Sequence, residues 1–175
     1  MTVELTKFVR DVPDFPKKGI VFKDITPLLA DPGALKAAVS EIAGKFRESG
    51  VDLVASVEAR GFIFGPAVAM ELDAGFVPVR KPGKLPCETR EISYELEYGS
   101  DTVQIHADAV KPGQKVLLVD DLIATGGTIE ATARLVEEMG GEVVGMAFVI
   151  ELAFLKPRER LAGRRVESLI VVDGE

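Results

Sequence analysis

Two adjacent carboxylates and a glycine-rich turn follow one another in the second half of the chain. A hydrophobic run that begins at Val116 leads directly into Asp120 and Asp121, and residues 124–128 then read ATGGT. Such a run predicts a strand buried on both faces, and in an open parallel sheet ligands bind beyond the carboxyl ends of the strands. We therefore expect the two acids to face a ligand at the edge of a sheet.

The ATGGT segment predicts a binding site for an anion. A helix is expected to start near Gly127, and the first turn of a helix leaves backbone N–H groups unpaired at the positive end of its dipole. Glycines let a phosphate approach the backbone closely, and Thr125 and Thr128 add hydroxyl donors. Because carboxylates suit hydroxyl groups or a hydrated cation, the two features together predict a sugar phosphate. The alternative is an ordinary strand, turn and helix with two solvated acids.

Strands and helices that alternate along the chain must position these groups. Continuous apolar runs predict buried strands at 52–57, 75–79, 115–119, 142–150 and 168–172. Apolar periodicity predicts one helix over 32–50, with Gly50 as its cap, and another that starts near Gly127 and ends at Gly140. This alternation predicts an α/β fold in which a central parallel sheet is flanked by helices on both faces.

Two segments interrupt the alternation. Residues 1–30 are punctuated by proline and partly extended, and we expect them to form a small cap on the sheet. Residues 81–107 have a glycine- and proline-rich start and alternating stretches that predict a hairpin, which we interpret as a flexible flap. No linker divides the chain, so residues 1–175 are expected to form a single domain.

Composition restricts the expected partners and compartment. The formal net charge of −7 opposes non-specific binding to nucleic acid, which needs a positive surface. No apolar run approaches the ~20 residues that span a bilayer, and the first residues lack the layout of a signal peptide. The single cysteine, Cys87, cannot form an internal disulfide. We therefore expect a cytoplasmic protein that binds neither nucleic acid nor membrane.

The segment VLLVDDLIATGGT resembles the 5-phosphoribosyl-1-pyrophosphate (PRPP) signature of the type I phosphoribosyltransferases. Almost the whole chain resembles the adenine-using branch of that family, through DFPKKGIVFKDITPLLADP, EARGFIFGPAVA, VRKPGKLP and YELEYG. The resemblance implies the type I phosphoribosyltransferase fold with an N-terminal hood, and transfer of the phosphoribosyl group from PRPP to adenine. The products would be AMP and pyrophosphate, in purine salvage. The resemblance also implies Mg²⁺ held mainly through PRPP and pyrophosphate, no metal site of the protein itself, and a homodimer in which Arg80 reaches the neighbouring subunit's site.

The same resemblance assigns roles residue by residue. Glu97 becomes the catalytic acid or base, and Tyr98 helps to close the flap over the site. The peptide bond between Glu58 and Ala59 is expected to be cis. The binding residues implied are Asp120, Asp121, Ala124, Thr125, Gly126, Gly127 and Thr128 for ribose and the 5′-phosphate, Glu58, Ala59, Arg60, Gly61, Arg80, Lys81 and Lys84 for pyrophosphate, and Val21, Phe22 and Lys23 for adenine.

Simpler structural interpretations stay open for several of these residues. Arg60 can form a surface ion pair, Phe22 can be a core residue of a short strand, and Glu97 can decorate an exposed hairpin. Lys23 stands where the family often has arginine. The ammonium group of lysine cannot replace the planar guanidinium of arginine in a contact that needs two parallel hydrogen bonds. The only histidine, His106, has no role in the family's motifs, and we expect it to be structural or solvent-facing.

Two other functions compete with adenine transfer. A 6-oxopurine transferase would usually carry aspartate where this chain has Ala124, so this residue argues against that substrate class. A PRPP-binding regulator would keep the fold without catalysis, but such proteins generally add a nucleic-acid-binding region with a basic face. An acidic chain of 175 residues leaves no room for that region.

Overall fold

A five-stranded sheet forms the centre of the molecule. The computed structural model describes residues 3–95 and 99–174. In spatial order the strands are β4 (Gly75–Val79), β3 (Leu53–Val57), β7 (Lys115–Ile123), β8 (Glu142–Leu152) and β9 (Val166–Val172). Each neighbouring pair is parallel, which confirms the predicted fold class.

Both faces of this sheet are covered, and β7 illustrates why its residues form a continuous apolar run. Leu117 and Val119 pack in one half of the core, while Val116 and Leu118 pack in the other. Side chains of a strand alternate between faces, so burial on both sides produces the continuous apolar run seen in the sequence. The helices are α1 (Thr26–Ala30), α2 (Pro32–Phe46), α3 (Gly61–Glu71), α4 (Gly127–Glu138) and α5 (Pro157–Arg160). The first half of the core contains side chains of α2 and α3, and the second contains those of α4.

The start of α2 follows the usual capping chemistry, but its predicted end was wrong. Asp31 precedes the helix, and its Oδ1 accepts a hydrogen bond from the Ala34 N–H at 2.8 Å. The helix ends at Phe46, and a turn then leads to Gly50, which has φ of +65°. The glycine therefore ends the connecting turn rather than the helix.

Two antiparallel ribbons lie outside the main sheet. The first pairs β1 (Arg10–Val12) with β2 (Phe22–Asp24), within the segment predicted to form the cap. The second pairs β5 (Thr89–Glu95) with β6 (Ser100–His106), so the segment interpreted as a flap contains a hairpin. That these ribbons act as a cap over a base and as a flexible flap stays a prediction. Within the described residues, no helix has the length and apolar character needed to cross a bilayer.

Candidate active site

A cavity of about 470 Å³ lies beyond the carboxyl ends of β3 and β7. This is where ligands bind in an open parallel sheet. The predicted residues that line it are Glu58, Ala59, Arg60, Lys81, Asp120, Asp121, Ala124, Thr125, Gly126, Gly127 and Thr128. The fold thus brings the glycine-rich turn, the two acids and the loop after β3 into one space.

The remaining predicted residues lie elsewhere or are not described. Gly61, Arg80, Lys84, Val21, Phe22 and Lys23 do not line the cavity. Glu97 and Tyr98 lie outside the described residues. His106, for which we expected no role in the site, ends β6 and is not part of the cavity wall.

The glycine-rich turn has the geometry of an anion site. Gly126 has φ of +82°, a conformation that side chains of L-residues rarely adopt, and it immediately precedes α4. No side chain of the described residues caps this helix at Gly126. The first N–H groups of α4 are therefore left for a ligand, next to the hydroxyls of Thr125 and Thr128.

The two acids are held close together with little access to water. Asp121 is 4% exposed, and its N–H donates to Oδ1 of Asp120 at 2.9 Å. Burial raises the pKa of Asp120 well above its ordinary value, and the charge of Asp121 raises it further. Burial also raises the pKa of Asp121, against the opposing effect of the Arg60 charge. Carboxylates in this setting are stabilised by hydroxyl donors, such as those of a ribose.

Arg60 connects the acids to the N-terminal ribbon. Its Nε lies 2.9 Å from Oδ2 of Asp121, and its guanidinium carbon lies 5.1 Å from the centre of the Phe22 ring. The preceding peptide bond, between Glu58 and Ala59, is cis, as the resemblance implied. Arg60 thus forms an ion pair, as in the alternative considered, but its partner is a buried acid of the cavity wall, while its own side chain is 38% exposed.

Arg80 is bound to the loop of its own chain. Its Nε and Nη2 donate to the two carboxylate oxygens of Glu58 at 2.9 and 2.8 Å, and its Nη1 donates to the carbonyl of Lys84 at 3.0 Å. Hydrogen bonds from Arg80 lower the pKa of Glu58. The arginine therefore holds the side chain of Glu58, in the loop after β3, and does not itself line the cavity.

The residues predicted to contact the base form part of the N-terminal ribbon. Phe22 is half-buried and packs edge-on against Phe15, with ring centres 5.2 Å apart. Lys23 Nζ pairs with Asp11 Oδ1 at 2.8 Å, so this side chain is directed to its own ribbon. Hydrogen bonds to Asp24, chiefly from the Thr26 N–H and then from Arg10, lower its pKa to about 2.

Sequence reasoning missed two residues that the hairpin adds to the cavity wall. The hydroxyl of Tyr94 lies 3.0 Å from Oγ1 of Thr128 and 3.3 Å from Oδ2 of Asp101, and Asp101 also pairs with Lys81. All four side chains line the cavity. The alternation along β5 was the available signal, because it places Tyr94 on the same face as Ile92, against the core.

A family model and full-length relatives of this chain all indicate phosphoribosyltransferases. The sequence model of the phosphoribosyl transferase domain matches residues 28–170. Adenine phosphoribosyltransferase of Rhodopirellula baltica is 56% identical over 173 residues, which cover 99% of this chain and 84% of the relative. That of Desulfitobacterium hafniense is 58% identical over 168 residues, covering 96% of this chain and 97% of the relative.

Solved structures agree with these relatives. Adenine phosphoribosyltransferase of Thermoanaerobacter pseudethanolicus superposes with a TM-score of 0.93 at 53% identity, covering 97% of this chain and 98% of that one. The Saccharomyces cerevisiae enzyme, solved with an imino-altritol bisphosphate and adenine, has a TM-score of 0.89 at 40% identity, covering 95% of this chain and 96% of that one.

Proposed function

The chain belongs to the adenine phosphoribosyltransferases of the phosphoribosyltransferase family, and from that premise we propose how its residues bind and join the two substrates. The reaction transfers the phosphoribosyl group of PRPP to adenine and gives AMP and pyrophosphate, a step of purine salvage. The observation that carries the site assignment is that the two adjacent acids and the glycine-rich turn line one cavity.

The sugar phosphate end of PRPP occupies the floor of this cavity. Residues 124–128 hold the 5′-phosphate through the backbone N–H groups at the start of α4 and through the hydroxyls of Thr125 and Thr128. Asp120 and Asp121 accept hydrogen bonds from the 2′- and 3′-hydroxyls of the ribose. An anion site and a pair of hydrogen-bond acceptors in one cavity suit the two ends of a ribose 5-phosphate.

The diphosphate of PRPP lies against the loop after β3. Backbone groups of residues 58–61 and the guanidinium of Arg60 provide donors for it, and Lys81, which also lines the cavity, adds a positive charge. Lys84 adds to this group of cations, and in the homodimer proposed below the Arg80 side chain of the other subunit completes it. The cations compensate the charge that pyrophosphate gains as it leaves.

Adenine lies beside the N-terminal ribbon. The ring of Phe22 provides a stacking face, which is worth about 1–3 kcal/mol for a nucleobase. The backbone of Val21 and Lys23 contacts the edge of the base. Because the side chain of Lys23 is already paired with Asp11, recognition at this residue uses the main chain.

The chemical step requires a proton acceptor as well as charge compensation. The bond between ribose C1 and the pyrophosphate oxygen breaks with both electrons going to the leaving group, through an oxocarbenium-like state. A nitrogen of adenine forms the new bond to C1 and loses its proton, for which Glu97 is the proposed acceptor. Tyr98 helps to close the hairpin over the site and so excludes water.

Mg²⁺ fits this arrangement as an ion that arrives with PRPP. No group of three or more possible metal-ligating side chains occurs within the described residues, but diphosphate and ribose oxygens are the ligands that Mg²⁺ prefers. Asp120 and Asp121 would contact the ion through the ribose hydroxyls or water. When bound, Mg²⁺ supplies charge neutralisation at the departing pyrophosphate.

We also propose a homodimer in which Arg80 exchanges its contact with Glu58 for the site of the partner subunit. The bidentate pair with Glu58 leaves the Arg80 side chain 30% exposed, and release of this pair would free the guanidinium for the partner's site. For the compartment, the exposed free thiol of Cys87 is compatible with a reducing cytoplasm.

The substrate is tested by comparing the formation of AMP, IMP and GMP from PRPP and equal concentrations of adenine, hypoxanthine and guanine. Adenine should be by far the best acceptor, because Ala124 lines the cavity without the carboxylate that 6-oxopurine enzymes usually place there. IMP formed at a comparable rate would contradict the adenine assignment. Binding of PRPP without release of pyrophosphate in the presence of adenine would instead indicate a regulator.

A further inference from the structure

Four side chains connect the two anion-binding ends of the cavity. Thr128 belongs to the glycine-rich turn, and its Oγ1 lies 3.0 Å from the hydroxyl of Tyr94. The same hydroxyl lies 3.3 Å from Oδ2 of Asp101, and that carboxylate pairs with Lys81, on the diphosphate side. The path therefore runs from the 5′-phosphate turn to the diphosphate-binding cation through two residues of the hairpin.

The hydrogens of this path have one arrangement that satisfies both contacts. An ionised carboxylate only accepts, and each hydroxyl has a single hydrogen to donate. Tyr94 must therefore donate to Asp101, and Thr128 must donate to Tyr94. In this state neither hydroxyl has a hydrogen directed at the space above the turn, and the positive charge of Lys81 is compensated within the protein.

We propose that Tyr94 is a further binding residue for the 5′-phosphate, and that Asp101 is the acceptor it exchanges for that phosphate. This inference rests on the proposed function, which places the phosphate on the turn. A phosphate there offers anionic oxygens to both hydroxyls, so Thr128 and Tyr94 turn their hydrogens to the ligand. Asp101 then loses the hydrogen bond from Tyr94 and lies beside a second negative charge, and it keeps only the Thr102 N–H, which donates to its Oδ1 at 2.8 Å. Its carboxylate moves away from the phosphate, which releases Lys81 to the diphosphate.

The fold keeps Tyr94 in position for this exchange. The residue is half-buried, and its ring packs with Ile92 against the half of the core that contains α4. On the other face of the ribbon, the hydroxyls of Ser93 and Thr102 pair at 2.8 Å. Tyr94→Phe keeps the ring and removes only the hydroxyl, whereas Ser93→Ala removes a neighbouring hydroxyl that does not face the cavity.

Calorimetric titration with AMP and with pyrophosphate tests the proposal. Tyr94→Phe should weaken AMP binding by about ten-fold, as expected for loss of a hydrogen bond to a charged group, and should leave pyrophosphate binding close to that of the parent. Ser93→Ala should bind both ligands as the parent does. AMP affinity unchanged by Tyr94→Phe, or equal losses for AMP and pyrophosphate, would overturn the proposal.

Asp101→Asn provides the second arm. Removing this charge frees Lys81 and removes repulsion of the incoming ligand, so PRPP should bind several-fold more tightly. Weaker PRPP binding would overturn the role of Asp101 as an exchangeable acceptor. Thr128→Val separates this inference from the proposed function. If it weakens AMP binding while Tyr94→Phe does not, only the inference fails, whereas a parent protein that binds neither AMP nor PRPP would refute both.

Discussion

The guanidinium of Arg60 lies over the ring of Phe22, at 5.1 Å from its centre, while its Nε contacts Oδ2 of Asp121 at 2.9 Å. One side chain therefore covers the face on which adenine is proposed to stack and also compensates an acid proposed to hold the ribose. In the proposed function, binding of the diphosphate to this guanidinium would expose the Phe22 ring to adenine and Asp121 to the ribose. Arg60 is thus the residue that would connect the three proposed subsites.

Replacing Arg60 with alanine should weaken PRPP binding far more than AMP binding, because AMP lacks the diphosphate. A hydrogen bond to a charged group contributes about 1.5–3 kcal/mol, so the dissociation constant for PRPP should rise by about 10- to 100-fold. Calorimetric titration of both ligands measures the difference. Arg164→Ala is a matched control, because Arg164 pairs with Glu137 and does not line the cavity. Equal losses for PRPP and AMP would contradict the role of the loop.

Replacing Asp120 with asparagine should stabilise the free protein while it weakens ligand binding. Because burial raises the pKa of Asp120, the folded state binds the proton more tightly than the unfolded state. Stability is therefore lost as the pH rises from the ordinary pKa of an aspartate through the raised one. Removing the ionisable group should increase the free energy of unfolding at neutral pH by about 1 kcal/mol, a rise in Tm of about 2–4 °C.

Thermal unfolding at neutral and at acidic pH measures this effect. The gain in Tm should shrink in acid, where Asp120 of the parent is itself protonated. The same substitution at the exposed Asp108 should leave Tm unchanged at both pH values. An asparagine variant that unfolds below the parent at neutral pH would show that ionised Asp120 carries no cost in the free protein.

Mixing two inactive variants should restore activity if Arg80 acts across a dimer. One variant carries Arg80→Ala, and the other carries Asp120→Asn together with Asp121→Asn. After unfolding and refolding together in equal amounts, a mixed dimer has one intact site, composed of the acids of one subunit and Arg80 of the other. Random pairing should then return about a quarter of the parent activity, since half of the dimers are mixed and each has one working site.

The activity of the mixture distinguishes an Arg80 that acts in the partner's site from one that acts in the site of its own chain. If Arg80 serves only its own chain, as its contact with Glu58 here would allow, no mixed dimer contains a complete site and the activity stays at the level of the separate variants. Sedimentation of each variant alone provides the control that the substitutions have not prevented dimer formation.

Replacing Glu97 with glutamine should lower kcat while PRPP affinity stays nearly intact. The substitution keeps size and shape but removes the ability to take a proton, and general acid or base groups contribute about 10²–10⁴-fold to rate. Single-turnover kinetics measure the chemical step directly, because product release can limit kcat in the steady state. AMP formation at the parent's single-turnover rate would show that the proton goes to water or another group.

Local patterns in the sequence were enough to predict the strands of the main sheet and part of the candidate site. The apolar runs predicted the buried strands because burial on both faces favours apolar residues at successive positions, as at residues 116–119 of β7. Asp120, Asp121 and the turn at 124–128 could be assigned to the candidate site because they lie in the last residues of β7 or just after it, and the carboxyl end of this strand must lie at the edge of the sheet. The binding geometry of this segment is contained within a few consecutive residues.

Contacts between segments that are distant in sequence could not be predicted in this way, because they depend on how the elements pack together. Tyr94 meets Thr128 across 34 positions, Arg80 meets Glu58 across 22, and the guanidinium of Arg60 reaches Phe22 in a separate ribbon. These contacts depend on the strand register of the two ribbons and on how the ribbons pack against the main sheet. A shift of one residue along a strand turns each side chain to the opposite face, so hydrogen bonds between hairpin and turn follow from packing and not from local pattern.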